Sequence, residues 1–100
     1  MYSNLTKCFT PEQKEIYIQK LSEIQRQIKL LINDRATCNK NLFQLRCEVN
    51  NSIKDMIVSE VLADYIDTMK LYIIQGKTNE ELDEIMQKDY EVLKAQQNKD

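Results

Sequence analysis

Histidine and tryptophan are absent from this chain of 100 residues, and it has a single glycine and a single proline. Each absence closes a door. Without histidine there is no Glu-x-x-His pair for a ferritin-like di-iron site, and no imidazole to activate a cysteine or serine nucleophile. One glycine cannot build a phosphate-cradling loop, and a sheet needs turn residues at much closer intervals than one glycine and one proline supply. The longest apolar runs are of three or four residues, too short for a signal-peptide core or a membrane span. Cys8, Cys38 and Cys47 are odd in number, with no CxxC pair and no zinc spacing, so they read as reduced thiols in a cytoplasmic protein.

What remains is a helical composition, with 42% hydrophobic and 30% charged residues. The net charge of −2 selects no partner, but its distribution is uneven. Residues 1–50 hold eight Lys/Arg against five Asp/Glu, and residues 51–100 hold six against eleven, giving balances of +3 and −5. The two halves are therefore suited to lie against each other, within the chain or across a dimer. Neither half has the concentrated basic face that nucleic acid demands, so nucleic acid is not the expected partner.

The strongest positive signal is a 3-4 spacing that runs from Tyr17 to Met56 through Leu21, Ile24, Ile28, Leu31, Arg35, Cys38, Leu42, Leu45, Val49 and Ser52. No proline or glycine interrupts the chain between Pro11 and Gly76. Such a period holds one stripe of a helix against a partner helix, which predicts an all-α fold with coiled-coil-like packing. Val58, Leu62, Tyr65, Met69 and Tyr72 form a second stripe, widened by Val61, Ile66 and Ile73. Leu82, Ile85, Met86, Tyr90 and Leu93 form a third.

Local chemistry marks the ends. Thr10-Pro11-Glu12-Gln13 is a helix start with a cap, a proline in the first turn and a capping-box partner. Gly76 suits a left-handed C-cap, and Thr78 to Glu81 is a second capping box. Between them two architectures fit. A turn at Asn33-Asp34 gives a four-helix bundle with helices near 11–33, 36–50, 53–75 and 78–95. Continuity there gives one helix of about 40 residues and about 60 Å, folded back as a hairpin on two shorter helices. The unshifted phase favours continuity. A break at Asn50-Asn51-Ser52 is expected in either case, with Ser52 able to cap and Asp55 three residues on. Residues 1–100 are expected to form one domain, with a short arm at 1–9 docked through Leu5 and Phe9, and a frayed tail at 96–100.

The candidate binding residues follow from this picture. Ile18, Ile32 and Ile53 flank the main stripe, and in a hairpin they would be left as an exposed apolar edge for a partner. Arg35 falls on the stripe, either as a register pin paired with Asp55, Asp64 or Asp67, or solvated if the chain turns there. Tyr65 and Tyr72 are candidate surface anchors or core residues. Glu60, Asp64 and Asp67 line one helix face and read as a solvated acidic stripe. Glu80, Glu81, Asp83 and Glu84 suit the positive end of a helix dipole. No catalytic, cofactor or metal residue stands out.

Two local resemblances bear on function. Leu71 to Leu82 (LYIIQGKTNEEL) resembles the opening of the helix-turn-helix of LuxR-type regulators, which implies a DNA-binding regulator over residues 71–93. The segment after it, Gln87-Lys88-Asp89-Tyr90-Glu91, departs from that family's recognition helix. Ile24 to Arg35 (IQRQIKLLINDR) resembles the first helix of all-α chorismate mutases, which implies a dicarboxylate substrate held by Arg35 and Arg46; the family's other cations have no counterpart here. Against both stands the reading the residues favour. It is a non-enzymatic helical module that binds another protein, or itself as a homodimer, without cofactor, membrane or small-molecule substrate. Chaperone, inhibitor or anti-regulator, and assembly subunit are the roles that suit it.

Overall fold

The computed structural model describes residues 9–99, with side chains as far as residue 95. Four helices account for nearly all of it, and no strand occurs among the described residues: α1 Pro11–Leu31, α2 Cys38–Ser52, α3 Met56–Ile74 and α4 Asn79–Lys99. The fold is an all-α bundle of four helices. Its longest dimension is 41 Å, well short of the about 60 Å that a 40-residue helix would need.

The chain therefore turns at Asn33-Asp34. Residue Ile32 closes α1, and Asp34 accepts a bond from the Ala36 N–H through Oδ1 at 3.1 Å. Such short-range side-chain bonding competes with the helix ladder, which explains why an Asn-Asp pair stops it. The 3-4 stripe is buried on either side of the turn, at Ile28, Cys38 and Leu42, but not through it, where Leu31 is half-buried and Arg35 exposed. Periodicity reports which face is buried and is blind to a reversal of chain direction.

The caps form where local chemistry places them. Thr10 Oγ1 accepts from the Gln13 N–H at 3.2 Å, and Gln13 Oε1 accepts from the Thr10 N–H at 2.9 Å. Thr78 and Glu81 repeat the exchange at 3.2 and 3.0 Å. At the end of α3, Gly76 has φ +91°, the Gly76 N–H reaches Ile73 O, and the Lys77 N–H reaches Tyr72 O. That is a Schellman closure, and Lys77 Nζ sits 5.6 Å over the Tyr72 ring beside it. The start of α3 differs from expectation. Asp55, rather than Ser52, is the cap, its Oδ1 accepting from the Ile57 and Val58 N–H groups. Serine 52 is instead the last residue of α2. At the other end α4 extends to Lys99, and so takes in residues 96–99 of the expected tail. Leu5 and Asp100 lie outside the described residues, whereas Phe9 is buried and its ring packs 5.3 Å from that of Tyr17.

Helix α1 packs most extensively on α4 and α2 on α3, with α1 also touching α3 and α2. Leu21, Ile28, Leu42, Leu62, Ile66 and Leu82 fill the shared core. Burying each such side chain contributes about 1.5–3 kcal/mol.

Candidate functional site

Three of the proposed binding residues lie inside the bundle. Ile18, Ile32 and Ile53 are all buried, because the fourth helix and the turns cover the edge that a hairpin would have exposed. The apolar edge expected of them is not on the surface. Tyr65 is likewise a core residue, and Tyr72 is half-buried beneath Lys77. Arg35 sits in the exposed turn between α1 and α2. Its Nη2 donates to Lys77 O at 2.9 Å and to Asn79 Oδ1 at 2.6 Å, so it ties that turn to the one between α3 and α4. These are its partners in place of the three aspartates considered. Asp55 is held by Gln13 Nε2 at 3.0 Å, and Asp67 by Arg46 Nε at 3.1 Å. The Gln13 bond, with the two backbone N–H groups, holds the Asp55 carboxyl below the usual carboxylate range.

Polar groups are also drawn inside. Gln25 of α1 is buried, and its Nε2 donates to Tyr65 Oη at 3.0 Å on α3 and to Met86 O at 2.8 Å on α4. The Tyr65 hydroxyl in turn bonds the Asp89 carboxyl of α4. Burial, followed by the Asp89 charge, pushes the Tyr65 hydroxyl far up, and burial raises Asp89 against the opposing effect of that hydrogen bond. Three helices are thus joined by one polar chain. Its members carried a signal that was missed. Ile18, Leu21, Gln25, Ile28 and Ile32 share a 3-4 spacing with one polar residue in it, and Leu82, Met86, Asp89 and Leu93 do the same.

The outer face of the α2–α3 pair is different. Half of the strongly exposed large apolar side chains belong to α3: Met56 (75%), Ile57 (54%), Leu71 (56%) and Ile74 (64%). Phe43 of α2 is exposed with Lys70 Nζ 5.8 Å over its ring. Beside them an open groove of about 540 Å³ runs along the first half of α3, between Arg46 and Asn50 on one wall and Met56, Glu60 and Asp64 on the other. Ile53, Ser59 and Ala63 also line it, and Ser59 Oγ donates to Asn50 Oδ1 at 3.1 Å. Glu60 and Asp64 make it inhospitable to a dicarboxylate. Arg35 does not line it, so the two arginines of the chorismate mutase resemblance do not converge there.

The helix-turn-helix resemblance has a structural counterpart in the Gly76 closure and the Thr78–Glu81 box. Yet α3 and α4 touch only sparingly, and Glu80, Glu81, Asp83 and Glu84 are exposed at the start of the would-be recognition helix. Cys38 is buried and Cys47 half-buried, both as free thiols. Burial raises the Cys38 thiol, with Arg35 opposing, which keeps it an inert core residue. Among the described residues there is no cluster of three or more His, Cys, Asp or Glu placed to hold a metal ion, and no helix long and apolar enough to cross a membrane. Comparison of the chain with protein-family models, curated proteins and solved structures gave no match.

Proposed function

We propose that the protein is a non-enzymatic helical binding module whose outer α2–α3 face receives a helix of another polypeptide. The observation that carries this is the placement of Met56, Ile57, Leu71 and Ile74 in solvent along one helix, beside an open groove. Four exposed apolar side chains on a single helix are more than scattered surface residues require, and a groove flanked by such residues suits helix-against-helix recognition. Chaperone, inhibitor or anti-regulator, and assembly subunit remain the roles this surface serves, in a cytoplasmic setting where Cys38 and Cys47 persist as thiols.

The test is a photo-cross-linking amino acid at Leu71, with a control at the exposed Gln27 on α1. A protein adduct formed through position 71 and absent at position 27 is the expected result. Adducts of equal yield at both positions, or none at either, overturn the reading. The regulator alternative predicts salt-dependent binding to duplex DNA. The exposed carboxylates opening α4 would repel its phosphates. The chorismate mutase alternative predicts turnover of chorismate, which a direct assay reads.

A further inference from the structure

The three connections of the bundle differ in what bends them. Gly76 at φ +91° ends α3 in a left-handed conformation through which no helix continues. Between α2 and α3 the backbone is extended, with Ile53 at ψ 118° and Asp55 at ψ 113°. The turn at 32–37 has neither device. Ile32 at φ −71°, ψ −11° and Thr37 at φ −109°, ψ 0° lie in or beside the helical region, and the turn has no glycine, no proline and no positive φ. Thr37 gives α2 no side-chain cap. Side-chain bonds hold the bend, from the Ala36 N–H to Asp34 Oδ1 and from Arg35 Nη2 to Lys77 O and Asn79 Oδ1. Through it the 3-4 spacing passes unshifted by way of Leu31 and Arg35. Between Tyr17 and Val49 these are the two stripe positions that the bundle does not bury.

We propose that this turn is a hinge. It straightens to join α1 and α2 into one helix from Pro11 to Ser52, and the freed α1 docks on a second copy of the chain in exchange for that copy's α1. In the exchanged dimer each α1 packs on the α4, α3 and α2 of the other copy, so Leu21, Gln25 and Ile28 keep the kind of neighbours they have in the closed bundle. The direction fits. In the closed chain α1 has Leu31 at the hinge and Gln13 at the far end beside Asp55, and an α1 arriving from a second hinge enters the vacant place the same way round. Arg35 is the strap, because straightening draws it off Lys77 O and Asn79. The α2–α3 pair stays intact, so the exchanged dimer presents two outer faces in place of one. The inference stands apart from the binding reading above, whose adduct at position 71 neither requires nor forbids it.

The test refolds the full chain from urea over a concentration series and separates monomer from dimer by size. Spin labels on non-natural amino acids at the exposed Glu12 and Asn51 report their separation, with labelled chain diluted into unlabelled chain before refolding so that only distances within one chain are read. In the bent chain both positions lie at the same end of a bundle 41 Å long, whereas a straight helix sets them about 58 Å apart. The dimer is expected to give the long distance and the monomer the short one. Asp34→Ala/Arg35→Ala removes the bonds that hold the bend and is expected to strengthen dimerisation about tenfold or more, since each dimer has two hinges. Ala36→Gly keeps the N–H that Asp34 accepts but weakens a helix through the turn, and is expected to lower the dimer share. Circular dichroism verifies folding. Should the double variant fail to fold, Arg35→Ala alone, at an exposed position, makes the same comparison. A wild-type chain that is monomeric at every concentration overturns the proposal. So does a dimer that keeps the short distance, or a double variant that forms no more dimer than the wild type.

Discussion

The seam joining α1, α3 and α4 and the outer face of α2 and α3 use similar residues to opposite ends. In the seam, Gln25 and Tyr65 are buried among apolar side chains, and their polar chain ends on the half-buried Asp89. On the outer face, Arg46 and Asp67 form an ion pair at 36% and 46% exposure, and Lys70 covers Phe43 in the open. A buried polar group left without a partner costs about 1–3 kcal/mol, so the seam is intolerant and fixes how three helices align. A solvated pair is worth about 0–1 kcal/mol, so the outer face can exchange its contacts for a partner's at little expense. Stability resides in the first region, and adaptability in the second.

Substitutions should break that contrast in a graded way. Ile32→Asp places a carboxylate where the side chain is 2% exposed, and is expected to abolish cooperative thermal unfolding through a loss on the order of 4 kcal/mol. A folded variant that had merely lost association would return Ile32 to an interface. Gln25→Ala removes the donor to both Tyr65 Oη and Met86 O, and a loss of about 2 kcal/mol is expected in urea titration. Asp89→Asn sharpens the contrast through pH. Because the Asp89 carboxyl is raised in the folded state, its stabilising contribution is complete below its unfolded pKa and fades as pH rises through the folded one. The amide variant is expected to lack that decline, so its melting temperature should gain on the wild type between acid and neutral pH. Arg46→Ala, on the outer face, is expected to change stability by less than about 1 kcal/mol in the same titration.

The legible parts of the fold were those that local chemistry dictates. Thr10 with Gln13, Gly76, and Thr78 with Glu81 bond within a turn, so their spacing alone locates a helix end. The stripes named most of the buried residues of α3 and α4, including Val58, Leu62, Tyr65, Ile66, Met69, Leu82 and Met86, while Tyr72, Ile73, Ile85 and Tyr90 are half-buried. The chain reversal at residues 32–37 was harder, because the spacing passes unshifted through it from Ile28 by way of Leu31 and Arg35 to Cys38. That ambiguity misplaced Ile18, Ile32 and Ile53 at a surface, since covering them takes a fourth helix in a position no local pattern specifies. Arg35 was read from its stripe position, but its bonds to Lys77 O and Asn79 Oδ1 span more than forty residues. The outer face was less legible still. Phe43 and Lys70 meet only because α2 and α3 lie side by side, and the exposed apolar residues of α3 fall between its buried ones, where no period singles them out.

The pairing of α1 with α4 and of α2 with α3 also sets an order of assembly. The α2–α3 hairpin closes through only three intervening residues, a local event on the order of microseconds. The α1–α4 contact encloses that hairpin and brings together the most distant segments of the fold, so its loop-closure entropy is the larger. A hairpin that closes first would expose Leu62, Ile66 and Met69, which the rest of the bundle later covers, together with Met56, Ile57, Leu71 and Ile74, which stay in solvent.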